Sequence, residues 1–213
     1  MKNITIKNFI RIRIIGIVLV FIGIGIISTA TTIQYYGRLR QKNMINSFER
    51  SIENYKQGNS LKNMVKIDEG LIDKAPINKA PNEEPGAIGI IRIPKIDLRV
   101  AIGEGVDIDT LKYAVGHFTQ TAMAGENGNF CVAGHRSYTY SQYFNRLDEI
   151  NKGDEIYVQT KKGEYKYIVY DKKIVEPSEY SVLDPTKDAT LTLVTCTPIR
   201  VATHRLIIKA RIQ

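Results

Sequence analysis

The sequence predicts an all-β fold, a closed barrel or sandwich of about 127 residues, carried behind one apolar segment that crosses a membrane. Three observations point there. From residue 87 onward, short runs of aliphatic and β-branched residues recur between Gly, Pro and Lys-Gly breaks, with little helical periodicity. Residues 14–33 are twenty in a row without a charge. The whole chain of 213 residues is 43% hydrophobic and 24% charged, which is globular and neither disordered nor collagen-like.

The elements follow in order. Ile14 to Ile33, at about 1.5 Å per helical residue, covers the roughly 30 Å of a bilayer core. Lys2, Lys7, Arg11 and Arg13 precede it, and Arg38, Arg40 and Lys42 follow. The positive-inside rule then favours a cytoplasmic N-terminus and an exported remainder. Ser28-Thr29-Ala30 is a passable signal-peptidase site, but Thr31, Thr32 and Ile33 prolong the apolar run and favour an uncleaved anchor. Four of the eight excess positive charges lie on residues 1–33, so the basic balance does not indicate a polyanion-binding surface, and no nucleic-acid partner is expected. The expected organisation is a basic leader (1–13), an anchor (14–33), an extracellular stalk (34–86) and the β domain (87–213). In the stalk, Met44, Phe48 and Ile52 recur every four residues, predicting a helix over about 40–56. Pro76, Pro81 and Pro85 make a stiff connector, and the stalk as a whole reads as a spacer.

Within the β domain, Ile88–Ile93 is a strand ended by Pro94. Leu98, Val100 and Ile102 alternate with Arg99 and Ala101 as a second, half-buried strand. Asp107 caps a short helix reaching Tyr113. Asn129–Ala133 is an apolar strand stopped by Gly134. Glu155–Thr160 and Glu164–Tyr170 flank Lys161-Lys-Gly163 as a hairpin. Leu191–Thr195 and Leu206–Ile212 are the last strands. Such a domain is large enough to hold a core without metal or disulfides.

Three residues carry potential chemistry. His135, in Gly134-His135-Arg136, stands where a strand gives way to a loop, and imidazole exchanges protons near neutral pH. Cys196 ends the run Thr192-Leu-Val-Thr-Cys196 two residues before Pro198, which places its thiol at a rim. Arg205 opens the final strand and offers a permanently charged fork of donors for a developing oxyanion. Alternation keeps His204 out of any site that holds Arg205. Taken singly, each has a structural explanation. A disulfide between the two cysteines is disfavoured if Cys196 works with His135. Cys131 lies four strand residues, about 13 Å, from His135, and a disulfide needs Cα atoms within about 7 Å. Cys131 is therefore expected in the core. His117 is expected to pack and hydrogen-bond behind the sheet.

Together, Gly-His, then Thr-Leu-x-Thr-Cys some sixty residues on, then Arg-Leu nine residues after the cysteine, resemble the sortases, membrane-anchored cysteine transpeptidases of Gram-positive bacteria. Ile93-Pro94-Lys95-Ile96, Ala114-Val115-Gly116-His117 and Phe144-Asn-Arg-Leu147 leading to Gly153-Asp154 support the resemblance, which spans about 86–213. It implies a closed eight-stranded β-barrel. It also implies that Cys196 is the nucleophile, His135 the proton shuttle and Arg205 the binder of substrate and oxyanion. The substrate would be a secreted protein with a C-terminal sorting signal similar to Leu-Pro-x-Thr-Gly, and the acceptor an amine of peptidoglycan or its lipid-linked precursor. Ala133, Thr192 and Val194 match positions that contact the signal, Val182 and Leu183 sit in the loop expected to wall the groove, and Thr195 and Thr197 flank the nucleophile. The amide of Thr197 is a candidate for a second oxyanion donor. The brevity of the 177–189 loop argues against class B, and the lack of a second apolar span against class C. Class D is resembled best, class A next. No cofactor is expected, although some relatives bind calcium and Glu126, Asp184 and Asp188 could contribute. Two alternatives remain at this stage, a sorting-signal hydrolase and a non-catalytic anchored binding domain.

Overall fold

The computed structural model describes residues 2–64, 86–136 and 142–213, with side chains from 11 to 58 in the first stretch. The proline-rich connector, with Pro76, Pro81 and Pro85, lies outside the described residues.

Helix α1 runs unbroken over Lys2–Met64. Its apolar side chains from Ile12 to Ile27 are all exposed, and it is long and apolar enough to cross a membrane. The sequence reading separates the anchor from the stalk helix. The structure joins them, because no proline occurs before Pro76 to interrupt the hydrogen-bond ladder.

Eight strands follow: β1 (Ala87–Ile93), β2 (Leu98–Glu104), β3 (Val115–His117), β4 (Gly128–Ala133), β5 (Glu155–Gln159), β6 (Glu164–Val175), β7 (Ala189–Thr197) and β8 (His204–Ile212). They close a barrel in the order β1-β2-β3-β4-β7-β8-β6-β5. The β2–β3 and β4–β7 pairs are parallel, and the others are antiparallel. Helix α2 (Ile108–Tyr113) bridges β2 and β3. Asp107 caps it as expected, its carboxylate accepting from the Thr110 amide at 2.9 Å. The strand β3 is visible in the sequence only as a motif, since three residues show no alternation to read.

Alternate residues point inward. Ile91, Ile93, Phe130, Val132, Leu191, Leu193, Leu206 and Ile208 fill the barrel, with Tyr167 among the largest buried side chains. Tyr167 also has its hydroxyl accept from the Gly125 amide at 2.8 Å.

A second cluster corrects the reading of the stalk as a mere spacer. Ile45, Phe48 and Ile52, a helical i, i+3, i+7 stripe, pack with Met44 against Ile90, Ala101 and Ala114 on the barrel's outer face. Ile90 and Ala101 are register partners on β1 and β2. Their burial explains why β1 departs from simple alternation: both of its faces are covered. Gln41 Nε2 donates to the Arg99 carbonyl at 3.2 Å, and Arg99 pairs with Glu49.

Candidate active site

Strand β7 places Cys196. Its neighbours Leu191 and Leu193 point into the barrel, so Thr192, Val194 and Cys196 belong to the outer face. Val194 and Cys196 are half-buried, whereas Thr195 and Thr197 between and beyond them are buried on the other side. Directly opposite Cys196 in the antiparallel β7–β8 ladder is Arg205. Residues paired in this way share a face with Cβ atoms about 5 Å apart. The register therefore sets Cys196 and Arg205 side by side on one face of the sheet. Arg205 Nη1 donates to the carbonyls of Ala202 (3.3 Å) and His204 (3.1 Å), which fixes the guanidinium at the rim.

His135 arrives from the neighbouring strand. The parallel pairing of β4 with β7 ends at Ala133 opposite Val194. The chain then continues to hold β7: Gly134 N–H donates to the Val194 carbonyl at 3.1 Å, and the Thr195 hydroxyl donates to the Gly134 carbonyl at 2.7 Å. One residue beyond His135, Arg136 Nη1 donates to the Thr197 hydroxyl at 2.9 Å. Residues 134 and 136 thus grip 194, 195 and 197, and the two residues left between them are His135 and Cys196. Gly134 is required here. A Cβ would stand 2.5 Å from the Phe144 ring that packs over the turn.

Of the expected groove residues, Ala133 and Val194 are register partners with half-buried side chains, and Leu183 is also half-buried. Val182 is buried. The hydroxyls of Thr192, Thr195 and Thr197 are turned to internal partners. Thr192 is fully buried and donates to Asn129 Oδ1 at 2.7 Å. Thr195 and Thr197 face away from the Cys196 side for reasons of strand parity, so only their backbone is placed to meet a ligand beside the thiol.

Sequence reasoning passed over two residues. Asn129 is 1% exposed, and besides accepting from Thr192 its amide donates to the carbonyls of Val182 and Asp184, both at 3.0 Å. It ties the 177–189 loop onto the β4–β7 face. Its signal was an amide side chain within an otherwise apolar strand. Arg136 has no sequence signal of its own beyond adjacency to His135.

Cys131 is fully buried, and burial pushes its thiol up to about 12. Neither cysteine is in a disulfide. His117 is 1% exposed; its ring lies against Phe130, bonded to Glu104 Oε1 (3.0 Å), the Ala122 carbonyl (3.2 Å) and Thr121 (3.1 Å). His204 bonds Glu176 Oε1 at 3.1 Å, on the parity opposite Arg205. Glu126 is engaged by Lys162 at 2.8 Å, and among the described residues no three His, Cys, Asp or Glu side chains gather as a metal-binding group.

A family model described as "Sortase domain" matches residues 91–213. The chain belongs to the sortase family. It is 35% identical over 113 residues to Sortase D of Bacillus subtilis, covering 53% of this chain and 55% of that one. It is 30% identical over 125 residues to Sortase A of Listeria monocytogenes, covering 59% and 56%. The chain thus spans about half the length of these curated relatives. Among solved structures it resembles a Clostridium perfringens Sortase D5 transpeptidase at 31% identity and a TM-score of 0.64, over 82% of this chain and 98% of that one. The closed eight-stranded barrel and the class D-like likeness accord with the expectation from sequence.

Proposed function

We propose that this sortase is a membrane-anchored cysteine transpeptidase acting on secreted proteins with an LPxTG-like C-terminal sorting signal. The observation that carries the reading is the register that sets Cys196 opposite Arg205 across β7 and β8, with residues 134 and 136, on either side of His135, bonded to residues 195 and 197, on either side of Cys196.

In this reading Cys196 attacks the Thr carbonyl of the signal as its thiolate. The carbonyl oxygen takes up negative charge, which the Arg205 guanidinium and the Thr197 N–H are suited to stabilise. The C–N bond to Gly then breaks. His135 gives the departing amine its proton, and a thioester remains on Cys196. A cell-wall amine, on peptidoglycan or a lipid-linked precursor, attacks the thioester and returns the sulfur. Its lost proton passes to His135. The energy of the cleaved amide is kept in the thioester, so no nucleotide is required. The cationic leader before the apolar stretch of α1 favours a cytoplasmic N-terminus, with the barrel outside.

Full-length protein in detergent, given a sorting-signal peptide and an amine, tests this by mass spectrometry. Wild type is expected to yield the amine-linked peptide. Cys196→Ala is expected to yield none while keeping its thermal midpoint. Product from a folded Cys196→Ala overturns the mechanism. Cleavage that ignores added amine identifies a hydrolase instead.

A further inference from the structure

We propose that Arg136 is a positioning residue, a buried clasp that fixes the spatial relation of His135 to Cys196. The inference rests on the roles given above to those two residues.

His135 lies outside regular structure, between the end of β4 and a segment, 137–141, outside the described residues. Strand hydrogen bonding therefore cannot hold its backbone. On its N-terminal side Gly134 is fixed by Val194 and Thr195. On its C-terminal side the holding is done by the Arg136 side chain, which is 5% exposed. Its three nitrogens reach three residues on two separate segments. Nη1 donates to the Thr197 hydroxyl at 2.9 Å, Nε to the Asn145 carbonyl at 3.2 Å, and Nη2 to Asp148 Oδ1 at 2.8 Å. Asn145 and Asp148 belong to the stretch after Phe144, whose own amide donates to the His135 carbonyl at 3.3 Å. The guanidinium therefore joins the residue after the base, the residue after the nucleophile and the turn that receives the histidine backbone. A rigid planar fork suits this task, since each bond fixes a direction as well as a distance.

Burying a guanidinium is costly unless each contact is made, and a charge needed only for packing could be replaced by an apolar group. Its place here, one residue from each reacting group, indicates registration of the pair. A shift of about 1 Å in such a pair is enough to lose about 100-fold in rate.

The test uses Thr197→Val, whose changed side chain points away from the groove, assayed as the full-length protein with a sorting-signal peptide and an amine. A fall of about 100-fold in kcat is expected, with KM and thermal midpoint near wild type and the His135-dependent limb of the pH–rate profile displaced. Thr197→Ser, which restores the acceptor oxygen, is expected to recover most of the loss. Asp148→Asn, at a half-exposed carboxylate, is expected to lower kcat in the same sense, and decides the matter alone if Thr197→Val does not fold. Wild-type kcat in folded Thr197→Val and Asp148→Asn overturns the clasp, as does a loss that Thr197→Ser does not recover. His135→Ala separates the two levels. If it is inactive while the other variants are normal, only the clasp fails. If it is active, the underlying mechanism fails.

Discussion

At the scale of single residues, two thiols of the same chemistry differ because of what surrounds them. Cys131 lies opposite Thr192 on the neighbouring strand, its thiol near the Asn129 carbonyl, and is fully buried, while Cys196 stands half-exposed near the end of its strand. Desolvation opposes the Cys131 thiolate and pushes it from 9.0 to about 12. One alkylated thiol, at Cys196, is expected in the native protein and two after denaturation, counted by mass spectrometry. The folded state holds the Cys131 proton more tightly than the unfolded chain does. Its contribution to stability is therefore complete below about pH 9 and declines as pH rises from there towards 12. Cys131→Val should flatten that alkaline decline in urea titrations. Asn129 presents the complementary case of a buried polar group with internal partners. Asn129→Ala leaves two carbonyls and the Thr192 hydroxyl without it, at about 1–3 kcal/mol for each group left unsatisfied. It is expected to raise amide exchange in the 180–184 turn, and normal exchange there would contradict its role as the tie.

At the scale of elements, the junction of α1 with the barrel is where reading by pattern went short. The four-residue recurrence at Met44, Phe48 and Ile52 was legible as a helix. What it packs on was not, because Ile90, Ala101 and Ala114 lie on outer faces made apolar by partners far along the chain. Phe48→Ala is expected to weaken docking by up to about 3–5 kcal/mol, the range for deleting a buried Phe. Proteolysis should then cut α1 between 44 and 52 faster than in wild type. An unchanged cutting rate would mean that the docked helix contributes little. The long strands behaved differently. Those of β6, β7 and β8 extend beyond their apolar runs, since ladder partners can carry a strand through Asp171 and Lys172 or through Cys196 and Thr197 without an apolar pattern.

For the whole molecule, one helix holds both the apolar stretch and the surface on which the barrel docks, so the barrel is fixed to that stretch. From Ile33 to Ile45 is twelve residues, about 18 Å along a helix, which places the docked barrel close to the end of the apolar stretch. On intact cells, a membrane-impermeant maleimide is expected to label Cys196 from outside. Labelling only after permeabilisation would reverse the proposed orientation. The buried fate of Cys131 and a closed β architecture are readable from order and spacing, as are the motifs that nominate Cys196, His135 and Arg205, because alternation and motif are local properties of the chain. The adjacency of the segments that carry these residues is not local. It arises from an antiparallel register that sets Cys196 opposite Arg205 and a parallel one that ends beside Val194, together with hydrogen bonds from residues 134 and 136 across to β7. Hydrogen-bond pairing between strands separated by about sixty residues leaves no periodic trace in either strand, and for that reason the clasp, the loop tie and the docked helix emerged only from the folded chain.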